Sequence, residues 1–556
     1  MTTRLAKGGM LIDRSRPLSF TFNGKHFKGF QGDTLASALL ANGQSLVGRS
    51  FKYHRPRGVV ASGPEEPNAL VGLGERGRFE PNQRATTTEL FEGLAAVSQN
   101  HWPSLEFDAG AISAGLARFF PAGFYYKTFL QPRAAWKHLF EPAIRRSAGL
   151  GRPPAEPDAD RYEYFYAFVD LLVVGGGIAG LTAARIAAEA GARVLLVEQA
   201  PHWGGRALAD GIMIDGRPAQ DWIKAELAAL AAMPNVNLRT RMMAAGLYDH
   251  GYVLAYERLS DHRPGAERPR HRLWRIRARR ILTATGAIER PLAFAGNDLP
   301  GVMLASAIRD HVALWGVSPG DRTIIVTNND DAYRTATLLR RSGLEVPAIL
   351  DARPPLQSQL VADARAQGIR VEFGRGIASV KGSRAVAAVE VCAQAGEGAV
   401  LETVPCDAVA MSGGWSPAVH LWSHPGGKLL WDEARAMFRP DPARAPTGED
   451  GAPFVLAAGS ANGELLTQDV LADALAAGRR VAEALGRSPD NRPAPATDAP
   501  AEADILPVWR MPQGASRKLR TKAFLDFQND VKVSDIELAA QEGYESVEHA
   551  KRYTTL

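Results

Sequence analysis

The clearest chemistry in this 556-residue chain lies in Gly175-Gly176-Gly177-Ile178-Ala179-Gly180. Glycines at that spacing, between a buried strand and a small-residue helix, build a turn for the pyrophosphate of a dinucleotide. Gly175 permits the tight turn, Gly177 lets the backbone come close to the phosphates, and Gly180 lets helix and strand pack together. The N-terminus of the helix faces the phosphate charge. Glu198 stands 18 residues beyond Gly180, where it would accept hydrogen bonds from the adenosine ribose. A carboxylate there disfavours a 2′-phosphate, so NAD is expected in preference to NADP. Gly204-Gly205-Arg206 follows and offers a second flexible backbone segment to the same ligand.

The elements that must position these residues are legible around them. The run Phe168-Val169-Asp170-Leu171-Leu172-Val173-Val174 reads as a buried strand, followed by an alanine-rich helix over 181–190 and a second strand over 193–197. A second unit of the same kind is expected at 323–350, with a strand over 323–326, a helix over 332–342 and a strand over 346–350. Residues 454–485 again give strand, glycine turn and helix. Near the start, Ser19-Phe20-Thr21-Phe22 alternates, Asn23-Gly24 supplies a type I′ turn, and a short helix over 35–41 follows Thr34, which implies a β-grasp-like module. Residues 486–503 are dominated by Pro, Ala and Asp and read as a linker. A helical tail follows from about 505, with Ser534-x-x-Glu537 as its capping box.

The strand ending Ala284-Thr285-Gly286 resembles the one that closes the first nucleotide domain in flavoproteins of the glutathione-reductase type. Two departures from that class stand out. Those proteins carry a Gly-Asp pair at the last strand, whereas this chain reads Gly459-Ser460, so FAD loses a usual contact that NAD does not need. The second unit's loop, Asn328-Asn329-Asp330-Asp331, has no glycine and puts two carboxylates where a pyrophosphate would sit. Like charges repel there, and a degenerate second site is expected.

Composition limits the remaining classes. With 46% hydrophobic and 22% charged residues the chain is an ordinary globular protein, and its net charge of +5 is too thin and too scattered for a nucleic-acid binder. The start lacks a signal-length apolar run, and the stretch 109–130 is interrupted by Arg118, Pro121 and Lys127, so no membrane span and a cytoplasmic location are expected. The only cysteines are Cys392 and Cys406, so a thiolate iron–sulfur site and a zinc site are not expected; neither is a metal. Lys52, Tyr53, His54, Arg55 and Arg57 form a basic–aromatic cluster that suits phosphate or flavin, or else a structural loop. No pair of residues offers general acid–base chemistry, so no catalytic residue is assigned.

Taken together, Gly48-Arg49-Ser50-Phe51-Lys52-Tyr53-His54-Arg55-Pro56-Arg57-Gly58, Glu65-Glu66-Pro67-Asn68-Ala69, Thr285-Gly286-Ala287-Ile288-Glu289-Arg290-Pro291, Ala458-Gly459-Ser460-Ala461-Asn462-Gly463, Phe524-Leu525-Asp526-Phe527-Gln528-Asn529-Asp530-Val531 and His549-Ala550-Lys551-Arg552-Tyr553-Thr554-Thr555 resemble the α subunit of heterotetrameric sarcosine oxidase. The resemblance spans essentially the whole chain. It implies an α/β protein with two dinucleotide-binding-type Rossmann domains, a clusterless ferredoxin-like β-grasp module at the N-terminus and a helical C-terminal segment. The implied domains are 1–100 for the module, 101–164 for a connector, 165–302 and 413–485 for the NAD-binding domain, 303–412 for the inserted degenerate domain, 486–504 for the linker and 505–556 for the tail.

It further implies partners β, γ and δ, FAD in β, FMN at the interface with β, and oxidation of sarcosine to glycine with peroxide release. Tetrahydrofolate, when present, receives the one-carbon unit in a folate-binding domain that follows the Leu556 boundary in the family. Around NAD, the resemblance adds Gln199 beside Glu198, Ala179 in the phosphate turn, Ala244 on the adenine side, and Ser460, Leu465 and Thr467 from the last turn. The aromatics Phe119, Phe120, Phe124, Tyr125, Tyr126 and Trp136 are the candidate for part of the docking surface for β, or else fill an intramolecular core. The alternatives are a related amine, proline or opine dehydrogenase or oxidase subunit, and an autonomous FAD/NAD(P)H oxidoreductase, which would need a glycine loop after Val326.

Overall fold

In the N-terminal hairpin, Phe20 and Phe22 point to one face and are 1% and 2% exposed, as a two-residue side-chain period requires. Asn23 and Gly24 both take positive φ, which matches the right-handed strand twist and fixes the register Phe22 opposite Lys25. Asp13–Phe22 and Lys25–Gln31 so paired open a five-stranded sheet that continues with Leu94–Ser98, Leu70–Leu73 and Glu80–Arg84. Leu35–Ala41 forms a helix with all seven residues buried, and Thr34 and Ser37 cap it reciprocally. This computed structural model describes residues 3–115, 121–123, 131–147, 149–265, 267–449 and 451–556.

The chain divides into two units. The first holds Met1–Ala159, Pro291–Gly413 and Ile505–Leu556, and the second Asp160–Arg290 and Gly414–Asp504. Besides the β-grasp sheet, the first unit contains a five-stranded sheet in the order Val302–Leu304, Ala408–Ser412, Thr323–Thr327, Ile349–Asp351, Val371–Phe373. All its neighbours are parallel, and its strands read as short apolar runs because both faces are covered. An antiparallel sheet of Arg375–Gly382, Val386–Ala393 and Val400–Pro405 completes this part. The C-terminal tail departs from the helical expectation: a hairpin of Phe524–Asp526 with Val531–Lys532 precedes the helices Val533–Gln541 and Val547–Thr554. The expected cap at Ser534 lies inside the first of these helices, and Asp535 accepts from the Lys532 N–H at 3.0 Å instead.

The second unit is built on Val236–Arg239, Val194–Val197, Tyr162–Val174, His271–Thr283 and Val455–Ala457, all parallel in that order. An antiparallel pair, Met242–Tyr248 and Tyr252–Arg258, extends from His271–Thr283. The core forms where Leu171, Val173 and Leu282 meet the alanine faces of helices Ile178–Glu189 and Thr467–Ala484. Small side chains allow the two helices to approach closely. The strand Tyr162–Val174 begins six residues earlier than its apolar run, inside the expected connector. Its first half pairs with His271–Ala278, and Tyr164 and Tyr166 lie against the Arg275 guanidinium, so cation–π contact supports this stretch without burial.

Of the expected docking aromatics, Phe119, Phe120, Phe124, Tyr125 and Tyr126 lie outside the described residues, and Trp136 is 41% exposed. Among the described residues no helix is long and apolar enough to cross a membrane, and no group of acidic, His or Cys residues could hold a metal ion.

Candidate dinucleotide site

Each glycine of the turn has its own geometry. Gly175 sits at φ +111°, and a Cβ there would meet the Ala284 carbonyl oxygen at 2.2 Å. A Cβ on Gly180 would meet the Gly175 carbonyl oxygen at 1.9 Å, so strand and helix touch backbone to backbone. Gly177 is different: a Cβ there would find nothing within 4 Å. That open space stands at the N-cap of Ile178–Glu189, where unpaired N–H groups and the helix dipole favour an anion.

Several expected site residues gather around this turn. Gly204 donates its N–H to the Gly176 carbonyl at 2.8 Å, and a Cβ on Gly205 would lie 3.2 Å from Gly177 Cα. Gly459, at φ +63°, brings the last turn against Ala179, whose Cβ is 2.8 Å from where a Gly459 Cβ would be. Ser460 follows in the same 3-10 turn, and Thr467 begins the helix Thr467–Ala484 after Leu465 and Leu466. Thr285 Oγ1 donates to the Ala418 carbonyl at 2.7 Å, and the Ala418 N–H donates to the Gly286 carbonyl at 2.9 Å. Arg206 places its guanidinium 5.0 Å from the centroid of the Trp415 ring.

Glu198 is fixed before any ligand arrives. Its Oε2 accepts from the Gly176 N–H and its Oε1 from the Ala200 N–H, both at 2.8 Å. Burial pushes its carboxyl above the usual range, against the lowering effect of the N–H groups of Ala200, Gly176 and Gln199. A carboxylate has about four lone-pair positions, so room remains for a ribose hydroxyl. Gln199 is exposed, and its carbonyl accepts from Arg258 at 3.1 Å. Ala244 lies within the strand Met242–Tyr248, opposite Ala255.

Two residues that the sequence reading left out belong here. Asp473 holds the last turn by accepting from the Gly459 N–H at 2.8 Å and the Asn462 amide at 3.2 Å. Trp203 packs on Gly176, where a Cβ would meet its ring at 2.3 Å. Only its place beside Gly204-Gly205 hinted at Trp203; nothing in the local pattern marked Asp473.

The second turn has the same layout and a different content. Asp330 is fully buried and accepts from Arg353 Nη2 at 2.6 Å. Asp331 takes two hydrogen bonds from Arg309 Nη2, at 3.0 and 2.9 Å. The same Arg353 also reaches Asp351, which accepts from the Tyr333 hydroxyl at 2.8 Å. Asn328 Nδ2 donates to the Leu506 carbonyl at 2.7 Å, and the Leu506 N–H donates back to the Asn328 carbonyl at 3.1 Å. The carboxylates expected to repel a ligand are thus neutralised internally, and the turn is closed by the chain's own groups.

The basic–aromatic cluster is not a solvated loop either. Tyr53 and Arg57 are both 2% exposed, Arg55 donates to Asp298 at 2.5 and 3.0 Å, and Arg57 is ion-paired with both Asp298 and Asp530.

Comparison with known proteins fits this geometry. Residues 15–101 match the family described as a 2Fe-2S iron-sulfur cluster binding domain, 170–246 an FAD dependent oxidoreductase family, and 520–556 a sarcosine oxidase A3 domain. Sarcosine oxidase subunit alpha of Rhizobium meliloti (strain 1021) is 46% identical over 99% of this chain and 54% of its own length. The subunit of the same name from Corynebacterium sp. (strain P-1) is 36% identical over 98% of this chain and 52% of its own. The chain therefore spans about half the length of the curated relatives it matches. The crystal structure of L-proline dehydrogenase from P. horikoshii shares the fold, with a TM-score of 0.65 at 18% identity over 100% of this chain and 90% of that one.

These matches correct the cofactor expectation. The module expected to belong to a line without an iron–sulfur cluster matches a cluster-binding family, because a family is carried by the residues that set the β-grasp fold and not by the ligands alone. The fit of the group itself is a separate matter. Residues 15–101 contain no cysteine, and Cys392 and Cys406 are buried thiols that burial pushes up to about 11 and about 12. The residues present do not supply thiolate ligands, and no step below runs through a cluster. Over the glycine turn the matching family names FAD, where the sequence reading preferred NAD. The turn's geometry serves the ADP half common to both.

Proposed function

We propose that this chain, similar over nearly its whole length to sarcosine oxidase α subunits, is the dinucleotide-holding part of an oxidoreductase subunit working in a complex with other subunits. The complex oxidises sarcosine to glycine, passes the electrons to oxygen to give hydrogen peroxide, and forms methylene-tetrahydrofolate when tetrahydrofolate is supplied. The β, γ and δ subunits are the partners, and substrate oxidation takes place outside this chain.

The observation that carries the role of this chain is the open cradle at Gly177, framed by Gly175, Gly180 and Gly205 and by the carboxylate of Glu198. Its backbone N–H groups bind the pyrophosphate of an adenine dinucleotide, and Glu198 receives the ribose hydroxyls. Thr285, Gly286, Gly459, Ser460, Leu465 and Thr467 complete the wall on the side of the last turn, and Arg206, stacked on Trp415, stands beside the second glycine pair. A flavin or nicotinamide dinucleotide supplies two-electron chemistry when bound. The chain itself orients the ligand and contributes no proton transfer.

The test has two readouts. Mass spectrometry of the material released on denaturation should give one adenine dinucleotide per chain, FAD or NAD. Co-expression with candidate partner subunits should yield a complex with sarcosine-dependent peroxide release that the chain alone lacks. Release of no dinucleotide would sink the site assignment, and activity from the chain alone would sink the subunit assignment.

A further inference from the structure

The first unit contains a cavity of about 260 Å³ far in sequence from the glycine turn, and none of its lining residues is acidic. Arg49, Arg57, Arg84 and Asn68 line it together with further uncharged polar side chains, and the rings of Phe51 and Phe527 stand beside them. Arg57 is ion-paired behind the wall, and Arg49 and Arg84 bring positive charge to a lining that holds no carboxylate.

Hydrogen-bond accounting points the same way. Arg57 is 2% exposed, and its two terminal nitrogens pair with Asp298 and Asp530, yet its Nε has no partner among the described residues. Asn68 is 8% exposed; its backbone N–H donates to Glu66 at 2.7 Å, while its side-chain Nδ2 has no partner among the described residues. A buried donor without an acceptor is costly, so two on one cavity wall mark a place made for an acceptor. Arg49 spends its hydrogen bonds on the Leu105 carbonyl, at 3.0 and 2.9 Å, and the His54 carbonyl, at 3.3 Å, while Arg84 donates to the Glu66 carbonyl at 3.3 Å. Neither arginine forms an ion pair among the described residues, although the carboxylates of Asp108 and Glu106 act on Arg49 from beyond the wall.

We propose that this cavity is a binding site for a small oxyanion, a carboxylate or phosphate carried on a compact and partly apolar body. Asn68 Nδ2 and Arg57 Nε donate to the oxygens, Arg84 supplies charge at the exposed side, and Phe51 and Phe527 flank the remainder. Its size admits a molecule of roughly a dozen heavy atoms, below the range of about 300–1,000 Å³ usual for drug-sized ligands. The proposal is independent of the dinucleotide reading, since no residue is shared between the two sites.

Calorimetric titration of the full chain with inorganic phosphate and, separately, with benzoate tests it. At least one probe should bind saturably, one per chain, and more weakly as salt rises. Phosphate alone, benzoate alone or both would each define the oxyanion the site accepts. Asn68→Leu removes a donor and fills the space, and Arg84→Gln removes charge from an exposed side chain without disturbing the core; each should lower affinity at least tenfold. Dinucleotide content should be unchanged in both variants. If Asn68→Leu fails to fold, Arg84→Gln carries the test alone. Wild-type protein that binds neither probe, or binding that Arg84→Gln leaves intact, overturns the proposal.

Discussion

Two turns in this molecule follow the same grammar, a buried parallel strand leading through a short loop into a helix, and they end in opposite states. At 175–180 glycines keep the backbone bare, and the space beyond Gly177 is open. At 327–331 side chains crowd the same position, with Asp330 held by Arg353, Asp331 by Arg309, and Asn328 by the backbone of Leu506. The comparison teaches that a strand–turn–helix unit is a scaffold, and that the side chains at its switch point decide between a ligand and a self-contained plug. Where no ligand is to be bound, the N–H groups of a helix start still need partners, and here the Asp331 N–H donates to Asn329 Oδ1 at 3.0 Å.

Removing the plug should produce the largest effect. Arg353→Leu removes the ion pairs of the buried carboxylates Asp330 and Asp351, and we expect a loss of about 3–5 kcal/mol in denaturant unfolding, with dinucleotide content per folded chain unchanged. A loss below about 1 kcal/mol would show that the ion network is not what closes the second turn.

Gly180→Ala attacks the open turn through its packing. The added Cβ meets the Gly175 carbonyl at 1.9 Å, so strand or helix must shift, at a cost of about 3 kcal/mol together with loss of the dinucleotide. A variant with wild-type melting temperature and full ligand content would contradict the backbone contact.

The helix that supplies Arg309 also carries His311, and it gives the plugged region a pH dependence. Burial holds His311 down to about 4, far below its ordinary 6.5, with Asp33 and Arg4 as the nearest charged influences. Between those values the unfolded chain binds a proton that the folded chain refuses, so stability should fall on acidification from pH 6.5 towards 4, by about 3 kcal/mol at the limit. Thermal melts across that window, compared with those of His311→Gln, should show a shallower slope in the variant.

The smallest expected change in stability is also the most informative for function. Gly177→Val places its side chain into open space, so unfolding free energy should stay within about 0.5 kcal/mol of the parent. Dinucleotide content should nevertheless fall at least tenfold by mass spectrometry. Full retention of the ligand would reduce the glycine turn to a packing device.

The sequence by itself determined the local parts of this protein. Gly175, Gly177, Gly180 and Glu198 announced a dinucleotide turn because each answers a short-range requirement: a tight bend, a bare backbone, a close helix, an acid at the next strand end. Phe20, Phe22, Asn23 and Gly24 gave a hairpin for the same reason, since side-chain alternation and turn stereochemistry are settled within a few residues. Tertiary structure decided everything that depends on a partner remote in the chain. Asp330 reads as a repelling charge until Arg353 arrives from 23 residues away, and Arg57 reads as part of a basic cluster suited to phosphate or flavin until Asp298 and Asp530 enclose it across 241 and 473 residues. Asp473, which fixes the last turn, carries no local signature at all. Charge patterns state what a residue can do; the fold states which opposite charge or carbonyl lies within reach, and burial then converts that contact from a weak surface preference into a fixed part of the structure.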